Sequence, residues 1–471
     1  MVRVLLFNAK REKCNSTSPH LGLAMLAARL KENGHEPLVI DYQLKHYAPP
    51  PDVFIREFKP NVIGITLYTA TMKEAERIID SVASFNIPII VGGPHATLYY
   101  DELSMDNRIN NIVRGEAENI INQIVESDKF HSKSRVIMAE LPDPKDLPSP
   151  DFTCFVGYKD ITVYPLSTSR GCPNNCSFCV VHMVSSTKWR PRKPDACVME
   201  LIEAKKMLSN LISVSVYDDN PMVKTEHIKE FLNLYIDKNI DMPLTIVNTR
   251  ADRLDKELIL LLKKAKCTSI ALGVESGCPE VFQQIGKGET LEDIKRAAKL
   301  IKKHNISLCL CFVIGLPGDT FEKTKWSIKL ASELKADHVY WNMIAPYRGT
   351  RVRDWYEQHG KVFDVINYSS WIDGDFLCDE PCAESAEFST EERKKAYFMA
   401  IMETNDIRLR LTNILRLIPY AMRYKLYGQF FYWLLNCTKR DFHKALRIYG
   451  EKGAREAIKG MYHYIKGHSY I

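Results

Sequence analysis

Two stretches of the chain alternate short apolar runs with amphipathic segments, and a third shows helical periodicity alone. In the first, aliphatic runs at 2–7, 37–40, 62–66, 87–91 and 111–113 predict strands, with helical spacing between them, as over 21–32 and 72–84. Five strands in strict alternation with helices imply a parallel, doubly wound sheet. Ligands of such sheets sit beyond the carboxyl ends of the strands, here the loops 8–20, 67–71, 92–97 and 114–118. The alternation then stops, and residues 141–151 carry four prolines, a stiffened linker. It resumes with strands predicted over 161–168, 211–217, 244–248, 269–273, 307–313 and 338–343. Six such units suggest a partial barrel whose active face is its carboxyl end. From about 385 onward only helical pattern remains, through 413–437 and 442–465.

The expected architecture is therefore α/β. A doubly wound parallel sheet over 1–126 and a proline-rich linker over 127–155 precede a partial (β/α)6 barrel over 156–350, and 351–471 form a cap and a basic helical region.

Composition narrows the setting. No run approaches the roughly 18 apolar residues that a spanning helix needs, and the first residues read as an opening strand and not as a secretory leader. Thirteen cysteines are scattered through 471 residues instead of forming a compact disulfide framework, which points to a reducing, cytoplasmic setting with some of them on metal. The net charge of +6 is uneven: residues 408–471 hold 13 Lys and Arg against 3 Asp and Glu.

The chemistry concentrates at Cys172, Cys176 and Cys179, three thiols within eight residues just after a predicted strand. Spaced C-x3-C-x2-C, they can wrap one corner of an iron-sulfur cube and leave its fourth iron open. A closed zinc site wants a fourth ligand, for which only His182 stands nearby. Other strand ends gather polar residues: Tyr217-Asp-Asp-Asn220, Asn248-Thr-Arg250, Gly273-Val-Glu-Ser-Gly277 and Gly315-Leu-Pro-Gly-Asp-Thr320. Taken alone, these also fit solvated loop acids, a helix cap and a tight turn.

With Phe178 before its last cysteine, the triplet resembles the signature of radical S-adenosylmethionine (radical SAM) enzymes. The resemblance implies a 4Fe-4S cluster on Cys172, Cys176 and Cys179, with SAM on the open iron, cleaved reductively to a 5′-deoxyadenosyl radical. It also implies SAM contacts from Phe178, Asp218, Asp219, Asn248, Arg250, Glu275, Ser276 and Gly315. Asp218-Asp219 departs from the Gly-Gly-Glu-like stretch usual at that strand end.

The first sheet is similar to the cobalamin-binding domain that precedes the barrel in one large radical SAM class. There the resemblance points to Thr66, Tyr68, Thr69, Gly92, Gly93, His95, Gly115 and Glu116. The motif Asp-x-His-x-x-Gly, which supplies a histidine to cobalt, is absent. Either cobalamin is held without a protein ligand to cobalt, or the domain remains as a scaffold without it.

These features imply a cobalamin-dependent methyltransferase acting on an unactivated centre. The alternatives are a radical cyclase, coupling or oxidative enzyme without methyl transfer, and a non-catalytic corrinoid and iron-sulfur sensor. The expected partners are a small-molecule, lipid or peptide substrate and an electron donor such as flavodoxin or ferredoxin. The segment 418–436, aromatic and basic, fits either a helical cap or a peripheral contact with the inner membrane surface. No nucleic-acid platform is present. Cys378 and Cys382 could contribute to a second cluster or a redox pair, but they, Cys309, Cys311 and the other scattered cysteines read better as structural or incidental.

Overall fold

The computed structural model describes residues 1–10, 18–44, 49–127, 135–363, 381–404 and 411–437. The first sheet has six parallel strands in the order β2-β1-β3-β4-β5-β6. They are β1 (Arg3–Asn8), β2 (Glu36–Asp41), β3 (Val62–Thr66), β4 (Ile89–Gly92), β5 (Asn111–Arg114) and β6 (Arg135–Met138). Alternate residues of β1 serve opposite faces: Leu5 and Phe7 join one apolar core, Val4 and Leu6 the other. Helices cover both faces, as parallel strands require.

The sixth strand lies where the sequence suggests a linker. Only Ile137 of β6 is buried while Arg135, Val136 and Met138 are exposed, so an edge strand of four residues leaves almost no hydrophobic pattern to read. The proline-rich segment is likewise fastened down. Asp151 N donates to Ala24 O at 3.0 Å and Val156 N to Val39 O at 3.0 Å, and Phe152 packs on Phe155 and Tyr164.

The second domain contributes β7 (Val163–Leu166), a two-residue ribbon of β8 (Ser169–Arg170) and β9 (Arg190–Pro191), then β10 (Ser213–Val216), β11 (Leu244–Thr249), β12 (Cys267–Glu275), β13 (Ser307–Ile314) and β14 (His338–Met343). Six of these pair in parallel in the order β14-β13-β12-β11-β10-β7. Ile270, Leu272, Leu310, Phe312 and Trp341 pack into the large core, while Ala271, Gly273, Cys311 and Tyr340 alternate onto the other face. That polar and small-residue face is the inside of the partial barrel.

The helix Thr390–Glu403, begun by a Ser389–Glu392 capping box, packs across β14, where Trp341 Nε1 donates to Thr404 Oγ1 at 2.9 Å. The helix Leu411–Arg423 and a further one over 427–437 follow. They bury Leu417, Ala421, Trp433 and Cys437 and expose Leu415, Met422, Phe431 and Leu435. The expected helix over 442–465 lies outside the described residues, as do Cys14 and Cys378.

Candidate active site

The three cysteines lie half-buried on a loop over 171–189 that the β8–β9 ribbon closes. Cys172 N bonds Ser186 O at 3.1 Å, Ser177 N bonds Ile285 O at 2.9 Å, and Val352 N bonds Ser177 O at 3.0 Å, so the loop is tied at three points. Cys176 and Phe178 pack on an apolar cluster containing Phe282, Ile285, Leu316 and Tyr356. Asn174 Nδ2 and Asn220 Nδ2 approach Cys172 Sγ at 3.4 and 3.7 Å, amide donors suited to a thiolate. Burial pushes the Cys179 thiol up to about 12 and raises Cys176, the latter opposed by the Lys287 and Arg250 cations. Such thiols keep their protons until a metal displaces them. Among the described residues no three His, Cys, Asp or Glu side chains close around a single ion. With His182 the one candidate fourth ligand near the triplet in sequence, three thiols fit a cluster with an open iron better than a closed tetrahedral zinc site.

At the end of β10 two adjacent aspartates play different parts. Asp218 is fully buried and accepts Thr168 N, Thr168 Oγ1 and Ser169 Oγ, each at 2.6 Å. It locks β7 to β10, with both carboxylate oxygens turned to Thr168 and Ser169. Burial raises its pKa against those hydrogen bonds. Asp219 lines a cavity and accepts Gly171 N at 2.7 Å, beside the first cysteine.

Asn248, exposed and left-handed at φ 57°, holds Asp218 O at 3.1 Å. Arg250 is spent on Asp252, at 2.9 and 3.0 Å, and on Lys287 O. Glu275 is buried and left-handed at φ 65°, with Lys287 Nζ 3.4 Å away, and burial raises its pKa. Lys287 stays a cation because Glu275 and Glu289 outweigh its burial. Ser276 turns inward, its Oγ accepting Cys278 N at 3.2 Å.

Gly315 also differs from expectation. At φ 89° it needs glycine, but a Cβ there would stand 2.5 Å from Arg393 Nη1, so the close approach is to the C-terminal helix. Tyr356 OH donates to its carbonyl.

The first domain meets the barrel around a cavity of about 320 Å³. Thr66, Tyr68, Gly92, Gly93, Gly115 and Glu116 line it from the sheet; Ser169, Arg170, Tyr217 and Asp219 line it from the barrel. Gly93, at φ 94°, would press a Cβ to 2.8 Å from Thr66 Oγ1 and 3.0 Å from Leu67 O, so only glycine lets this loop pack so close to the end of β3. Glycine-edged loops at the carboxyl ends of β4 and β5, with Gly64 lining the same cavity from β3, fit the corrinoid that the sequence implies. Thr69 and His95 are not in the cavity wall. His95 Nδ1 meets Thr69 Oγ1 at 3.0 Å and the ring stacks on Tyr99 at 4.6 Å, a packed position behind that wall. Burial, with Arg348 nearby, lowers His95 to about 4.

Sequence reasoning missed several residues. Asn220 was visible beside the aspartates, and Lys287 between two left-handed glycines, Gly286 and Gly288. Arg170 and Arg190 carried no local signal, and Glu118 stood unremarked in the 114–118 loop. His20 lines the cavity, its Nδ1 capping Leu23 N at 3.0 Å and its Nε2 3.0 Å from Tyr68 OH.

A fold with a cofactor cavity shared by a doubly wound sheet and the mouth of a partial barrel defines a two-domain radical enzyme, and comparison with known proteins agrees. Residues 11–125 match the B12 binding domain and residues 166–331 the Radical SAM superfamily. The chain belongs to the cobalamin-binding-domain-containing radical SAM enzymes, and its cofactors are a 4Fe-4S cluster, SAM and cobalamin.

An uncharacterized methyltransferase of Pyrococcus horikoshii is 26% identical over 73% of this chain and 80% of its own length. An anaerobic magnesium-protoporphyrin IX monomethyl ester cyclase of Rubrivivax gelatinosus is 26% identical over 75% of this chain and 68% of its own. A bacteriochlorophyllide d C-12(1)-methyltransferase of Chlorobaculum tepidum is 22% identical over 66% and 69%. Among solved structures, the cobalamin-dependent radical enzyme OxsB, with aqua-cobalamin and SAM bound, shares the fold at TM-score 0.66 and 16% identity, covering 99% of this chain and 76% of that one. The methyltransferase TsrM of Kitasatospora setae does so at TM-score 0.61 and 18% identity, covering 75% of each.

Proposed function

We propose that the protein is a methyltransferase that delivers a methyl group to an unactivated centre. The observation that carries this reading is the single cavity walled by Gly92, Gly93 and Gly115 on one side and Ser169, Tyr217 and Asp219 on the other. When bound, the cluster supplies the electron that opens the SAM sulfonium, and cobalamin supplies the methyl carrier. The chain's own part is to hold the two next to each other and away from water.

In this reading Asp219, next to the cluster loop, takes the SAM amino group, and Asn248 and Glu275 take its ribose or carboxylate. Residues 1–126 act as the carrier domain, 156–350 as the radical barrel and 351–471 as its cap, with a flavodoxin or ferredoxin as reductant. A cyclase without methyl transfer is the second reading, because relatives of that name stand beside the methyltransferases at the same identity.

Protein purified and reconstituted without oxygen, loaded with hydroxocobalamin, desalted and given SAM and a strong reductant should retain about one cobalamin and release 5′-deoxyadenosine. A substrate then gains ~14 Da under the methyl-transfer reading and loses hydrogen under the cyclase reading. Deoxyadenosine without retained cobalamin would count against methyl transfer.

The finer setting we propose is cytoplasmic, with the basic C-terminal region resting on an anionic membrane. Its support is the exposed row Leu415, Met422, Phe431 and Leu435 beside Arg423 and Lys425. Among the described residues no helix is long and apolar enough to cross a membrane. Sedimentation with anionic but not neutral vesicles is the expected result; equal recovery with both would remove this part.

A further inference from the structure

The two short strands that close the cysteine loop pair in an unusual register. β8 and β9 run antiparallel with Ser169 opposite Pro191 and Arg170 opposite Arg190. Like charges directly opposite on a ribbon destabilise it, and two residues per strand offer little backbone bonding in return. Both guanidinium side chains are largely buried, at 14% and 8% exposure, so water screens them little.

The compensation comes from the other domain. Glu116 Oε2 lies 2.6 Å from Arg170 Nη1 and 3.1 Å from Arg190 Nη1, and Glu118 Oε1 lies 2.7 Å from Arg170 Nη2. Glu116 thus spans both arginines, while its Oε1 is 3.3 Å from Ser185 Oγ inside the loop. Arg190 also donates to Ser185 O at 2.9 Å and to Pro142 O of the linker at 2.6 Å. Two carboxylates of the first domain balance two cations of the second at the base of the loop that carries Cys172, Cys176 and Cys179.

We propose that Glu116 and Glu118 are positioning residues for the cluster loop, which reaches its closed form only when the cobalamin-binding domain neutralises Arg170 and Arg190. The proposal rests on the assignment of the three cysteines to the cluster. It gives Glu116 a role other than the cofactor contact expected of it. Because Glu116, Glu118 and Arg170 all line the cavity, cavity and cluster loop share one wall.

The test is amide hydrogen exchange on the full-length reconstituted protein, comparing peptides from 171–189 with the barrel helix Pro194–Met207 as a reference. In Glu116→Gln with Glu118→Gln, exchange in the loop should speed up about tenfold or more while the reference holds. Adding Arg170→Gln, which removes one of the opposed charges and no side-chain bond to the loop, should bring the loop back to within about threefold of wild type. If the carboxylates serve only as domain contacts, the third substitution removes one contact more and the loop loosens further, which would overturn the proposal. So would unchanged loop exchange in the double variant.

Should the double variant fail to fold, the single variants decide. Glu118→Gln should loosen the loop more than Arg170→Gln, which removes a cation without touching the loop, and the reverse order overturns the idea. Iron content of the wild type, measured in parallel, reports separately on the cluster assignment.

Discussion

Asp218 and Asp219 stand side by side, yet burial and partners give them separate work. Asp218→Ala should cost about 3 kcal/mol, because it strands the buried donors of Thr168 and Ser169. Asp219→Asn should leave stability nearly intact and lower deoxyadenosine formation, so chemical denaturation and a cleavage assay on the two variants separate lock from ligand. Alanine at Cys172, Cys176 or Cys179 should abolish SAM cleavage and cut iron content; full activity in any one variant would remove the cluster assignment.

His95 makes a pH prediction. Its imidazole is held at about 4, whereas the unfolded chain takes the proton near its ordinary value of 6.5. The unfolded state therefore binds more protons between those values. Stability is complete above pH 6.5 and falls as pH drops toward 4, by roughly 2 kcal/mol at pH 5. Urea titrations at pH 7 and 5 should show a smaller loss in His95→Gln than in wild type, and an equal loss would refute this account.

At the scale of elements, Gly315 shows what a motif does and does not reveal. The Gly-Leu-Pro-Gly turn is legible after a strand, but the sequence offers no hint that Arg393, almost eighty residues on, fills the space beside Gly315. Arg393 is itself buried against the Tyr356 and Phe388 rings and cannot swing away. Gly315→Ala should thus destabilise by about 2 kcal/mol or more, combining left-handed strain with the clash; thermal unfolding within 0.5 kcal/mol of wild type, roughly the scatter of surface substitutions, would contradict it.

A strand buried along its whole length was readable to the residue, as β3 shows, because an unbroken apolar run has few other uses. β6 escaped because pairing at a sheet edge, and not burial, makes it a strand.

Over the whole molecule, two groups of ion pairs among the described residues tie the first domain to the barrel, and their burial ranks them. Arg348 reaches Asp101 at 2.8 Å and also meets Glu102, but these side chains are 34%, 59% and 49% exposed, so Arg348→Ala should cost less than about 1 kcal/mol. Arg170→Ala, which strands Glu118 while Glu116 keeps Arg190, should cost several times more, roughly 3–5 kcal/mol. Denaturation curves for the two variants check that ranking.

The sequence alone determined the order of domains, the alternation that makes each sheet parallel, and the cysteine triplet with its open iron. These are local properties: periodicity fixes an element, and three ligands within eight residues need no fold to be recognised. Tertiary structure decided which polar residues face the cavity. It turned Asp218, Ser276 and His95 inward, spent Arg250 on Asp252, and brought Glu116 and Glu118 against Arg170 and Arg190. The direction of a side chain and the partner of a charge depend on residues far away in the chain, and a linear pattern carries neither.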